Sequence, residues 1–115
     1  MVAERYNLIG PTMEQPQYNM LHRDKVEVEY DQIYKTVGLG TTIWSPLGSG
    51  ILTGKYNDGM AESTRLSMDG MEWLKDKSLV EENLEKVRKL TVLANEIGTT
   101  MPKLAIAWCL KNENV

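Results

Sequence analysis

From Asp24 to Val37, apolar and aromatic side chains recur at Val26, Tyr30, Ile33, Tyr34 and Val37, one continuous stripe on an α-helix. Glu27, Glu29, Asp31 and Lys35 lie largely off that stripe. Asp24 suits the positive end of the helix and Gly38 the left-handed residue that follows its last turn. Before it, a Gly10-Pro11 turn leads into Thr12-Met13-Glu14-Gln15, a short strand that Pro16 ends or confines to the end of a ladder. After it, the β-branched and aromatic run Thr41-Thr42-Ile43-Trp44 predicts a second strand. Strand, helix and strand in this order form a βαβ unit with parallel strands.

Helical periodicity returns downstream. Leu84, Val87, Leu90, Ala94 and Ile97 predict a helix over about 80–97, with Ser78-Leu79-Val80-Glu81 as its capping box and Gly98 as its stop. Thr100 is the expected cap of a further helix with Pro102 in its first turn. From Leu104 to Leu110 that helix is apolar nearly all round and needs cover on several sides. Between Tyr56 and this region runs a long polar loop, which Met71, Trp73 and Leu74 in a short helix or turn over 70–77 would pack down. Val2–Tyr6 reads as a last helical turn. Two strands can neither cover three helices nor satisfy their own outer edges, so residues 1–115 are expected to be an incomplete α/β domain.

Composition narrows the function classes. The chain has 115 residues, 42% apolar and 25% charged, as in a single globular unit. A formal charge of −3 and the scatter of its 13 basic residues argue against nucleic-acid binding. Apolar runs too short to span a bilayer, and an N-terminus without a signal-peptide pattern, lead to the expectation of a cytoplasmic protein without membrane insertion. Cys109 is the sole cysteine, which excludes an internal disulfide and a Cys-based metal site, and its apolar neighbours suit an inert buried thiol. His22 reads as a surface or capping residue. No metal site is expected.

The candidate chemistry lies in residues 41–56. Here the strand breaks at Ser45-Pro46 into a run containing Gly48, Ser49, Gly50, Thr53 and Gly54 and ending at Lys55. Freed backbone N–H groups, hydroxyls and a cation can hold a phosphate, and Trp44 at the strand tip can stack on a flat ring. A Gly-rich turn after a core strand has the same composition. Gln15 offers either an amide to a ligand or a solvated strand end, and Arg65 either clamps a phosphate or is solvated. In parallel α/β architectures ligands sit at the carboxyl ends of strands, where both Gln15 and the Trp44–Leu47 stretch fall.

Several segments, in this order and at these spacings, resemble the aldo-keto reductase superfamily. They are Glu14-Gln15-Pro16-Gln17-Tyr18-Asn19-Met20, Lys25-Val26-Glu27, Trp44-Ser45-Pro46-Leu47-Gly48-Ser49-Gly50, Gly54-Lys55-Tyr56, Ser63-Thr64-Arg65 and Leu104–Leu110. Within the superfamily they look most like the branch of voltage-gated potassium channel β subunits. The resemblance implies a partial (β/α)8 barrel, residues 12–16 being the sixth strand, 24–37 its helix, 41–45 the seventh strand and 80–111 the helices before an eighth.

It also implies an NADP(H) site. Gln15 matches the glutamine that hydrogen-bonds the nicotinamide carboxamide, and Trp44 the aromatic stacked on its ring. Ser45, Pro46, Leu47, Gly48 and Ser49 match the pyrophosphate loop, and Lys55, Ser63 and Arg65 match positions around the cofactor phosphates. The implied activity is reduction of aldehydes or ketones. The alternatives are a cofactor-binding regulatory subunit on a potassium channel α subunit, itself a homo-oligomer or not, and a truncated isoform without activity. The family's catalytic Asp, Tyr, Lys and His or Asn belong to the first half of the barrel, so this chain is expected to hold no catalytic residue. The eighth strand, with the loop that grips the adenosine end, is expected outside it too.

Overall fold

The structure, a computed structural model, describes residues 2–60 and 62–115. Its first half is built on a parallel ladder between β1 (Met13–Glu14) and β2 (Gly40–Thr41), with Met13 opposite Gly40 and Glu14 opposite Thr41. Pairing continues beyond these residues. Thr42 N donates to Glu14 O (3.0 Å), Trp44 N to Pro16 O (3.0 Å) and Tyr18 N to Trp44 O (3.3 Å), so Gln17 stands opposite Trp44. Pro16 does not end the ladder. The alternation of a parallel pair makes its nitrogen the next donor after Glu14 N, and that nitrogen carries no hydrogen. One rung is lost, and the pairing resumes through the Pro16 carbonyl.

The connection between the strands is helical but not one uniform helix. Lys25–Glu29 form a π-turn, closed by Tyr30 N on Lys25 O at 3.0 Å, and α2 (Asp31–Val37) follows. The wider turn rotates what comes after it, which divides the expected stripe. Val26 is buried at 1% exposure, whereas Ile33 and Val37 are exposed. Gly38 ends α2 at φ +69°, the left-handed conformation expected there. The Val2–Tyr6 turn is present as α1 (Val2–Arg5).

α3 (Glu72–Ser78), α4 (Glu81–Glu96) and α5 (Met101–Leu110) make up the second half. Ser78 does not cap α4. It is the last residue of α3, and Val80 holds the cap position without a side-chain bond, because Leu79 turns the chain and packs against the core. The reciprocal capping box occurs instead between Thr64 and Ser67, around the 3-10 turn Arg65–Ser67. α4 closes with Gly98 N on Asn95 O (3.1 Å) and Thr99 N on Ala94 O (2.9 Å), with Gly98 at φ +75°. Thr100 occupies the cap position of α5, but its hydroxyl makes no capping bond.

The main core joins Ile51, Leu52, Tyr56 and Leu66 to Val87 of α4 and to Met101 and Ala105 of α5. The Gly-rich run is therefore not a free loop, because its apolar residues are the centre of the protein. A second cluster, Tyr18, Val26 and Cys109, packs with Ile43, Tyr34 and Trp108 and ties β2 and the π-turn to α5. Cys109 is buried there, and burial pushes its thiol above the ordinary range. α5 is not covered all round: Ile106 and Leu110 are exposed. The radius of gyration, 17.4 Å, exceeds the roughly 13 Å of a compact chain of this length. Among the described residues no helix is long and apolar enough to cross a membrane.

Candidate functional site

Asn19 fixes the end of the ladder. It is fully buried, and its Oδ1 accepts from the N–H groups of Leu21 (2.9 Å) and His22 (3.0 Å), while Nδ2 donates to Ser45 O at 2.9 Å. One amide thus joins the turn after β1 to the turn after β2. Ser45 sits at φ +56° and Ser49 at φ +59°, both left-handed without being glycine. Gly48 lies where Asn19 and Ile51 approach: an added Cβ would be 3.2 Å from Ile51 Cγ2. The backbone N–H groups of Gly48 and Gly50 bond to Ser45 O and Leu47 O, each at 3.0 Å, and Ser49 N reaches Ser45 Oγ at 3.3 Å. These donors are spent inside the loop, which leaves its hydroxyls and nearby cations as the groups that face outward.

Beside this loop lies a cavity of about 310 Å³. Trp44, Ser45, Gly48 and Ser49 form one side, and Arg65 enters from the 3-10 turn. Trp73, Lys77 and Ser78 of α3 and Asn83 of α4 contribute further wall. Trp44 remains 49% exposed, so its indole has surface free for a ligand. Among the described residues no carboxylate lines the cavity, while Arg65 and Lys77 do. The surroundings suit a flat ring attached to an anion.

Five of the ten residues singled out in the sequence therefore meet: Trp44, Ser45, Gly48, Ser49 and Arg65. Gln15 is exposed and outside the lining, but side-chain alternation puts it on the ladder face shared by Gln17, Thr42 and Trp44. Leu47 packs against the main core, and Pro46 beside it is half-buried. Lys55 lies across Gly50, with Nζ 5.1 Å from the centre of the Tyr56 ring, and does not line the cavity. Ser63 is exposed in a separate shallow depression that it shares with Arg65.

Sequence reasoning assigned no role to Asn19 or Lys77, and it expected Trp73 to pack the long loop down, whereas Trp73 is exposed and lines the cavity. Asn19 follows the strand in a polar turn, where an asparagine reads as an ordinary turn residue. Its burial depends on β2 arriving alongside. Trp73 and Lys77 reach the cavity only because α3 docks there.

A second polar network lies behind the ladder. Glu27 accepts from Arg23 Nη2 at 2.8 Å and from the Tyr18 hydroxyl at 2.8 Å. The Arg23 guanidinium holds the Glu27 carboxyl below its usual range. Burial, with the nearby Glu27 charge, pushes the Tyr18 phenol up. Arg23 also lies 5.4 Å from the Trp108 ring centre, and Trp108 packs on Tyr18. This network braces α5 against the π-turn.

The sequence profile of the aldo/keto reductase family matches residues 1–115, and the chain belongs to that family. Membership implies a (β/α)8 barrel, and a parallel pair joined through a helical connection is consistent with part of one. Among its relatives is a protein of Arabidopsis thaliana described as a probable voltage-gated potassium channel subunit beta. The two are 49% identical over 114 residues, covering 98% of this chain and 35% of the relative. A protein of Oryza sativa subsp. japonica with the same description is 48% identical over 115 residues, covering 99% of this chain and 35% of its own length. The chain thus spans about a third of the length of these curated relatives.

Proposed function

We propose that residues 12–45 supply the sixth and seventh strands of the barrel with the helix between them. On this reading, the segment holds the nicotinamide and pyrophosphate side of an NADP(H) site in a reductase of aldehydes and ketones. The observation that carries the reading is the exposed Trp44 indole at the end of the ladder, beside a cavity that gathers Ser45, Ser49 and Arg65 and, among the described residues, no carboxylate.

These residues fit the cofactor. A half-exposed indole can stack on the nicotinamide and leave the opposite ring face open. Gln15, on the same ladder face, has both a donor and an acceptor for a carboxamide. The Ser45 and Ser49 hydroxyls and the Arg65 guanidinium suit phosphate oxygens. Lys55 and Ser63, outside the cavity lining, would contact the cofactor phosphates beyond its rim. When bound, NADPH supplies a hydride for a carbonyl carbon. The work of this chain is to orient the ring and neutralise phosphate charge, and no proton donor is assigned to it.

The test is NADPH titration of the full-length protein, followed by protein fluorescence and by turnover with an aromatic aldehyde. Trp44→Ala should weaken binding by about three- to tenfold, the loss of a stacking contact of roughly 0.5–1.5 kcal/mol. Unchanged affinity and turnover would remove the stacking role.

The description of the relatives as probable potassium channel β subunits supports a second reading. In it the same cofactor site belongs to a cytoplasmic, homo-oligomeric subunit docked on a channel α subunit, with little turnover. Co-purification with the cytoplasmic domain of a channel α subunit, without steady-state NADPH consumption, would favour it. Absence of such co-purification alongside rapid aldehyde turnover would reject it.

A further inference from the structure

One wall of the Trp44 cavity is left unused by the cofactor assignments. α3 turns Trp73, Leu74, Lys77 and Ser78 towards the cavity. Their spacing, with Lys77 four residues after Trp73 and three after Leu74, is that of one helix face. Leu74 packs against the buried cluster that contains Ile51, Leu52 and Leu66. The short helix is thereby seated on the Gly48–Thr53 run, which carries Ser49, and on the 3-10 turn Arg65–Ser67. Trp73 and Lys77 flank this anchor, so their backbone positions are set even though both side chains are exposed.

Charge makes this wall informative. Ion pairs join Arg23 to Glu27, Lys35 to Asp31, Lys86 to Glu82 and Arg88 to Glu81. Among the described residues neither Lys77 nor Arg65 has a carboxylate partner, and both line a cavity that contains no acidic side chain. Glu62 and Asp69 border the neighbouring depression on the other side of Arg65 without pairing with it, and two cations on one cavity repel each other when it is empty and attract an anion placed between them. The two also differ in chemistry: Arg65 offers a planar fork, Lys77 a mobile point charge on a long stem.

We propose that Lys77 is a second cationic contact for the phosphate groups of the ligand in this cavity, acting with Arg65, while Trp73 forms the apolar wall beside it. This proposal rests on the NADP(H) reading above and adds a residue to that site from an element the sequence motifs do not include. The lysine makes phosphate affinity depend on α3 being docked.

The experiment is NADPH titration of the full-length protein at several salt concentrations, for the wild type, Lys77→Gln, Lys77→Arg, Arg65→Gln and Trp44→Ala. Lys77→Gln should raise the Kd roughly fivefold at low salt, with a smaller effect at high salt, since an exposed charge contact is modest and screened. Lys77→Arg should restore most of the affinity and its salt dependence. If Lys77→Gln matches the wild type while Arg65→Gln or Trp44→Ala weakens binding, Lys77 is not a contact and the cofactor reading survives. A loss in Lys77→Gln that is the same at every salt concentration overturns the charge contact as well. If all the variants bind NADPH as the wild type does, the cofactor reading and this proposal fall together.

Discussion

Replacing Asn19 by alanine should uncouple the two turns at the end of the ladder. The side chain bonds to Leu21 N, His22 N and Ser45 O, each between 2.9 and 3.0 Å, and its Oδ1 also lies 3.3 Å from His22 Nδ1. Two partners keep a second bond: His22 N also donates to Asn19 O, and Ser45 O also accepts from Gly48 N. Leu21 N, bonded to the Asn19 side chain, loses that bond outright. At about 1 kcal/mol net per bond, and somewhat more for the stranded donor, the loss is about 2–3 kcal/mol. That is a sizeable part of the roughly 5–15 kcal/mol by which domains are stable.

Two measurements on the full-length protein check this. Amide exchange at Leu21 should accelerate roughly 30- to 150-fold if the loss is felt as local opening, and the denaturant midpoint should fall at an unchanged slope. Asn19→Asp keeps both accepted bonds but sets an oxygen against the Ser45 carbonyl and buries a charge. It should therefore also be destabilised near neutral pH while retaining slower exchange at Leu21 than the alanine variant. If Asn19→Ala leaves Leu21 exchange within threefold of wild type and the midpoint unmoved, the coupling of the two turns through this amide is refuted.

Two further outcomes are expected. Gly48→Ala and Gly38→Ala both force a left-handed residue, at φ +54° and +69°, but only the first puts a Cβ 3.2 Å from a core side chain, while Gly38 faces open space. Gly38→Ala should cost about 1 kcal/mol and Gly48→Ala at least about 1 kcal/mol more, read from paired thermal melts; equal losses would mean that the core yields freely at Ile51. The depressed Glu27 carboxyl stabilises the fold above the unfolded value of about 4.3, and that contribution disappears as pH falls through the lower folded value. The stability gap between wild type and Glu27→Gln should accordingly shrink as the pH falls below the ordinary carboxylate range, by a modest amount because Arg23 is largely solvated. A gap independent of pH would show that the Arg23 pairing has no energetic effect.

The βαβ core and the α4–α5 pair were legible because they rest on local signals with a strong physical basis. β-branched residues at 41–43, Gly38 and Gly98 in left-handed positions, and the three- and four-residue steps of Leu84 to Ala94 each act within a few residues of themselves. The Ser78 capping pattern failed because α3 already claims that serine, and a four-residue motif cannot reveal a competing helix before it. The run 45–56 reads as flexible from its glycines, yet Ile51, Leu52 and Tyr56 have contacts in α4 and α5 that give them buried places. Family likeness drew attention to Trp44, Ser45 and Arg65, which share the cavity. It also drew attention to Lys55, which lies beside Gly50 and the Tyr56 ring, and to Ser63, which borders a separate depression. Asn19 and Lys77 depend on which segments meet in space, and no local pattern carries that information.

The π-turn at Lys25–Glu29 has a consequence for how this chain can vary in length. An α-helix with one extra residue relieves the surplus as such a turn. A homologue one residue shorter in this stretch could span the same distance as an unbroken α-helix, keeping Gly38 and the pairing of Gln17 with Trp44 where they are. Single-residue insertions and deletions between the strands are thus best tolerated here, at a point where the backbone already absorbs one.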